Sequence, residues 1–106
     1  MDGSDAILAF HRAFYVLRSG TATREVVAVD AQVSLAADIQ AGIDSLPAGT
    51  RYCVQVTPGP AATDGVQRWN VELAQQVSGG PEITYRQAVT TRVETGRTLI
   101  TAITAA

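Results

Sequence analysis

Apolar and polar residues alternate along the second half of the chain, a pattern typical of strands with one buried and one wet face. The alternation predicts strands at about residues 51–57, 66–77, 83–94 and 98–104. In the first three strands one parity holds the apolar side chains Tyr52, Val54, Val56, Trp69, Val71, Leu73, Val77, Ile83, Tyr85, Val89 and Val93. We therefore expect an antiparallel sheet with one apolar and one polar face.

A helix is predicted at about residues 34–46, before the first of these strands. Its apolar residues recur at spacings of four, four and three: Leu35, Ile39, Ile43 and Leu46. Ser34 is a suitable N-cap, and the segment Pro47-Ala48-Gly49 ends the helix. A helix with one apolar stripe is expected to pack on the apolar face of the sheet.

The segment 6–18 is compatible with two structures. As a helix it would be capped by Ser4 and would align Ile7, Phe10, Phe14 and Leu17 on one face. As a strand it would place Leu8, Phe10, Phe14 and Val16 on one side. The following segment, 24–30, is rich in valine and is predicted to be a strand. The short link at 19–21 favours a hairpin, so we interpret 6–18 as its first strand.

These patterns predict a single α+β domain over residues 1–106. Its antiparallel β-sheet has five to six strands, with the helix at about 34–46 packed on the apolar face. A chain of 106 residues has the usual length of one domain. The proline-rich stretch 58–65 is predicted to be a stiff, irregular loop suited to contacts.

The polar parity of the predicted strands collects arginines. Arg51, Arg68, Asn70, Arg86 and Arg92 all fall on it, and we take them as candidate binding residues. The chain contains no lysine, and a planar guanidinium binds phosphate or carboxylate in a bidentate manner. The face is therefore a candidate for contact with a polyanion or RNA.

Recognition of RNA by such a sheet usually needs aromatic residues on the binding face. Here Tyr52, Trp69 and Tyr85 fall on the opposite, apolar parity. The net charge of −2 also gives no general attraction to nucleic acid. We therefore expect at most weak nucleic acid contact through the arginines.

The composition favours self-association. Only 17% of the residues are charged, against about 25% in typical soluble proteins. A surface with so little charge is best protected from unspecific contacts by association, so copies of the chain itself are the expected partner.

The acidic start Met-Asp-Gly-Ser-Asp is not a signal peptide, and no apolar run reaches the roughly 20 residues of a membrane span. We expect no membrane contact and a location in the cytoplasm, or in a virion if the protein is phage-encoded.

Motifs for catalysis or metal binding are absent from the sequence. Cys53 and His11 are each the sole residue of their type, and no Gly-x-Ser-x-Gly occurs. In the predicted helix 34–46, Asp38 and Asp44 are six residues apart and roughly opposed, so paired-carboxylate hydrolysis is unsupported. We expect no cofactor and no metal. The leading interpretation is a non-enzymatic, self-assembling structural or adaptor subunit, such as a virion, shell or tail component.

The alternative is a small-ligand-binding module or a small enzyme of the α+β-barrel type. Such a protein would work in an apolar cavity, with His11, Tyr52, Tyr85 or Glu72 as the candidate residues. Against it, we find no polar group on the apolar parity other than the tyrosine hydroxyls, whereas a ligand pocket needs converging polar groups.

Overall fold

The computed structural model describes residues 2–60 and 65–106, which form helices on one side of a five-stranded sheet. The elements in chain order are α1 Gly3–Arg12, a π-helical turn Ala13–Leu17, α2 Gly20–Arg24, β1 Val27–Gln32, α3 Ala36–Asp44, β2 Arg51–Pro58, β3 Val66–Gln76, β4 Glu82–Glu94 and β5 Arg97–Ala105. The predicted α+β class is confirmed. Within these described residues, no helix is long and apolar enough to cross a membrane.

The four strands predicted from alternation are confirmed, each to within one residue at either end. They form the antiparallel run β2–β3–β4–β5. A two-residue turn joins the last two strands, because Thr95 and Gly96 both adopt the positive φ, 50° and 77°, that a tight hairpin requires. Residues 61–64 of the predicted loop 58–65 lie outside the described residues, and Pro58 is the last residue of β2.

The sheet is mixed, not wholly antiparallel as predicted. β1 lies at one edge and pairs parallel with β5, in the order β1-β5-β4-β3-β2. Pairing strands that far apart in the chain depends on tertiary contacts, which local alternation does not encode. β1 also starts later than predicted, because residues 20–24 form α2.

The interpretation of residues 6–18 as a strand is wrong, because this segment is helical. The N-cap is Asp2 and not Ser4: the Asp2 carboxylate accepts from the Asp5 amide at 3.0 Å, and the Asp5 carboxylate accepts from the Asp2 amide at 3.2 Å. This reciprocal pair satisfies two amides that the first turn leaves open. The predicted hairpin link is the start of α2, where the Ser19 hydroxyl accepts from the Ala22 amide at 3.1 Å.

α1 is the helix that covers the apolar face of the sheet, with contacts to β2, β3, β4 and β5. The predicted helix 34–46 exists as α3, but it begins after Leu35 without a side-chain cap and packs mainly on α2. At Gly20 the two short helices touch so closely that a Cβ atom would stand 2.3 Å from the Ala36 carbonyl oxygen. Arg18 fixes the far end of α3 by donating to the Ile43 and Leu46 carbonyls at 3.0 and 2.7 Å.

The core lies between α1 and the sheet. Its buried members are Ala6, Ile7, Val27, Val71, Val89 and Ile100. Burial of each larger aliphatic side chain contributes roughly 1.5–3 kcal/mol. Val71 and Val89 of this set have the parity predicted to be buried, in agreement with the predicted faces of β3 and β4.

The N-terminal turn of α1 lies directly against the sheet at Gly3. A Cβ atom there would stand 2.4 Å from the Trp69 indole nitrogen and 2.5 Å from the Thr91 hydroxyl. The same indole N–H donates to the Thr91 hydroxyl at 3.0 Å. Glycine is therefore required at this position for steric reasons.

We predict that Gly3→Ala lowers the free energy of unfolding by about 1–3 kcal/mol, because the added methyl group must displace a rigid indole ring. The control is Gly42→Ala, within α3, where the nearest atom to a new Cβ is 4.0 Å away. The control should be stabilised by about 0.5–1 kcal/mol, since alanine favours a helix interior. Urea unfolding followed by circular dichroism measures both values, and equal stability of the two variants would contradict the proposed contact.

Candidate functional site

A cavity of about 230 Å³ lies between the helical segment 10–15 and strands β3 and β4. It is lined by Phe10, His11, Phe14, Tyr15, Leu73, Tyr85 and Gln87. The walls are mainly aromatic and aliphatic, with a small number of polar groups. This composition is typical of sites for small organic molecules.

Helical and strand periodicities bring these residues together. Phe10 and Phe14, like His11 and Tyr15, are four residues apart and lie near one another on the helical segment. The turn from Ala13 to Leu17 is π-helical, a form that occurs frequently at functional sites. On the sheet, Leu73 pairs with Tyr85, and Gln87 follows two residues later on the same face.

His11 is buried, with only 3% of its surface exposed. Its Nδ1 lies 2.8 Å from the Ile7 carbonyl oxygen, one helical turn earlier. A carbonyl only accepts hydrogen bonds, so Nδ1 carries the proton and Nε2 holds a lone pair. Burial lowers the pKa of His11 below its usual 6.5, against the opposing effect of the Ile7 hydrogen bond. The imidazole is therefore neutral at pH 7, with Nε2 as an acceptor.

Gln87 brings an amide into the cavity wall. Its Oε1 atom is buried and has no hydrogen-bond partner among the described residues. A buried acceptor without a partner costs about 1–3 kcal/mol, and native structures pair most such groups. Gln87 therefore has an unused hydrogen-bond acceptor beside the cavity.

Tyr15 forms a rigid side of the cavity. Its ring stacks on Tyr52, with centroids 4.5 Å apart and planes inclined by 11°, and its hydroxyl donates to Gln75 Oε1 at 2.5 Å. Burial, with smaller contributions from Tyr85 and Tyr52, raises the pKa of Tyr15 to about 12. The phenol therefore stays protonated, and its hydrogen goes to Gln75 rather than to the cavity.

The structure brings together two of the four residues predicted for a ligand-binding or enzymatic role. His11 and Tyr85 both line the cavity. Tyr52 stacks on Tyr15 but is not among the lining residues. Glu72 lies on the opposite face of the sheet, 3.9 Å from Arg86. The expectation that this parity holds no polar group besides tyrosine hydroxyls is wrong. Gln87 has the same parity as Tyr85 and Val89. An amide between these two residues was the signal by which the sequence could have indicated a polar group in the cavity.

The arginines predicted as a binding face do share the outer, polar face of the sheet. Arg51, Arg68, Asn70 and Arg86 are exposed there, as is Cys53. Their role in binding stays a prediction.

Arg92, the fifth candidate, is already engaged within the protein. Its guanidinium binds Asp30 of β1 at 3.0 Å and also contacts Glu94. These carboxylates raise the pKa of Arg92, Glu94 having the larger effect. Over residues 2–60 and 65–106, no group of three or more His, Cys, Asp or Glu is arranged to hold a metal ion.

Solved structures with a similar fold come from several sources. A ketosteroid isomerase from Mycobacterium sp. aligns with a TM-score of 0.67 and 18% identity, over 97% of this chain and 90% of that one. A putative calcium/calmodulin-dependent protein kinase type II association domain from Thiobacillus denitrificans gives 0.67 and 20%, over 97% and 92%. A computationally designed 17-OHP binder gives 0.64 and 18%, over 95% and 88%.

At these identities the likeness shows the fold alone. A sequence search of the curated proteins found no match. A family model described as a domain of unknown function, DUF8176, matches residues 1–104. The chain therefore belongs to the DUF8176 family.

Proposed function

We propose that this protein binds a small, largely apolar molecule in the cavity between the helical segment 10–15 and strands β3 and β4. The observation that carries the proposal is a cavity walled by aromatic rings whose lining includes Gln87, a residue with a buried Oε1 that has no partner among the described residues. Apolar walls supply the free energy of binding, and a polar atom fixes the orientation of the occupant.

The similar structures support this proposal. Two of them are named for small molecules, one as a ketosteroid isomerase and one as a 17-OHP binder. The alternative of a ligand-binding module therefore has more support than a self-assembling virion, shell or tail component, which none of these findings favours. Association of the chain with copies of itself stays a prediction.

The size of the cavity suggests the size of the occupant. An apolar cavity of about 150 Å³ takes up benzene, so 230 Å³ suits a molecule of one or two fused rings. Naphthalene is therefore a suitable probe for occupation of the cavity.

No carboxylate is among the lining residues, and His11 is the one lining group able to accept a proton near neutral pH. We accordingly propose binding rather than catalysis.

We predict that Leu73→Phe weakens naphthalene binding at least about tenfold, because the larger ring occupies part of the cavity. The control is Ile83→Phe on β4, a similar change at a half-exposed residue outside the cavity lining. This variant should bind naphthalene like the wild type. Dissociation constants come from titrations followed by amide chemical shifts. Equal loss of affinity in both variants, or undiminished binding in Leu73→Phe, would argue against this cavity as the site.

We predict that the neutral state of His11 makes stability depend on pH. The folded pKa is below the unfolded value of 6.5, so the unfolded chain binds more protons in the range between the two values. The free energy of unfolding should then decrease as the pH falls below 6.5, by at most about 1.4 kcal/mol per pH unit. Above 6.5 this contribution is constant.

The matched variant is His11→Asn, whose amide can donate to the Ile7 carbonyl but does not titrate. Urea unfolding between about pH 5 and pH 8 should show a steeper loss of stability on the acid side in the wild type than in the variant. Parallel profiles for the two proteins would show that His11 is not responsible.

A further inference from the structure

Two desolvated polar atoms of the cavity residues, one on Gln87 and one on His11, are hydrogen-bond acceptors. Gln87 Oε1 is a buried acceptor without a partner, and the neutral ring of His11 retains an acceptor at Nε2, since Nδ1 donates to Ile7. The hydroxyl of Tyr15 is already used as a donor to Gln75. Tyr85 is 42% exposed, so it meets water as well as the cavity. Gln87 Oε1 and His11 Nε2 are therefore acceptors without a donor.

We infer that the occupant of the cavity is a neutral ring compound carrying a hydroxyl or N–H group, which donates a hydrogen bond to Gln87 Oε1. This inference rests on the proposed function and specifies the class of ligand. A molecule whose polar atoms only accept would leave two acceptors facing each other, and neither would regain the hydrogen bond lost on leaving water.

The absence of charged side chains from the cavity lining also favours a neutral ligand. The lining residues include no arginine, and the described arginines of the strands lie on the outer face or at its edge. A carboxylate or phosphate entering the cavity would lose its hydration and meet lone pairs instead of a cation. A cationic ligand would find no carboxylate among the lining residues. Neutral donors, such as a phenol or an indole-type N–H, fit these surroundings.

The aromatic walls favour a flat molecule. Phe10 and Phe14 line the cavity from the helical side, and Tyr85 lines it from the sheet. Contacts between aromatic rings add to the simple burial of apolar area. A two-ring compound with one donor on its edge matches the volume, the walls and the amide oxygen together.

The test compares 2-naphthol with 2-fluoronaphthalene, which has a similar shape but no hydrogen-bond donor. Wild-type protein at neutral pH should bind 2-naphthol about tenfold more tightly, the effect expected from one buried hydrogen bond. In Gln87→Leu the preference should fall to about twofold or less, with 2-fluoronaphthalene still bound. The matched control is Gln55→Leu, the same chemical change at an exposed position of the outer face, which should keep the full preference.

A second measurement needs no variant. In wild-type protein, 2-naphthol should shift the side-chain amide signals of Gln87 more than 2-fluoronaphthalene does at equal occupancy. The nitrogen shifts of His11 report in the same experiment whether Nε2 also accepts.

The outcomes separate this inference from the proposed function. Equal affinity for both compounds, without a difference in the Gln87 signals, would overturn the inference while leaving the cavity as a binding site. A preference for 2-naphthaldehyde over 2-naphthol would also overturn it, because the amide would then present its N–H₂ group. Failure of naphthalene and both derivatives to bind would instead refute the proposed function itself.

Discussion

The attachment of α1 to the sheet at two points determines the site. At its N-terminal end, Gly3 lets the helix backbone approach Trp69 and Thr91 as closely as atoms allow. Beyond its C-terminal end, Tyr15 stacks on Tyr52 and donates to Gln75. A small residue at one end and a large aromatic stack at the other leave space between helix and sheet. The cavity lies between the aromatic residues of the helical segment and those of the strands.

The two faces of the sheet have different electrostatic roles. The outer face carries the arginines, and Arg92 binds Asp30 there, which ties the edge strand β1 to β4 on the far side of β5. The cavity at the inner face has no charged group in its lining, and its polar groups are a neutral imidazole, an amide and two tyrosine hydroxyls. Hydrogen bonds are stronger in such surroundings than in water, and unpaired groups are more costly. For this reason the proposed selection of a ligand with a donor group rests on the unpaired oxygen of Gln87.

Both successes and failures of prediction have physical causes. The strands β2 to β5 were predictable because pleating makes every second side chain point the same way, a relation that holds within a single strand. The segment 6–18 is rich in apolar residues at spacings that fit both periods, and the strand interpretation was wrong. One signal for the helix, the reciprocal cap between Asp2 and Asp5, lies outside that segment. Gln87 was recognisable as a polar residue in an apolar series, but its neighbours in space were not.

By itself, the sequence determined the α+β class, four strands with their inner and outer faces, and the grouping of arginines on the outer face. These properties depend on local periodicity, which the order of residues encodes directly. Tertiary structure alone decided that β1 lies parallel to β5, that α1 and not α3 covers the sheet, and that His11 and Gln87 line one cavity. Each of these features joins residues far apart in the chain, and close packing of complementary surfaces selects such contacts only once the elements have met.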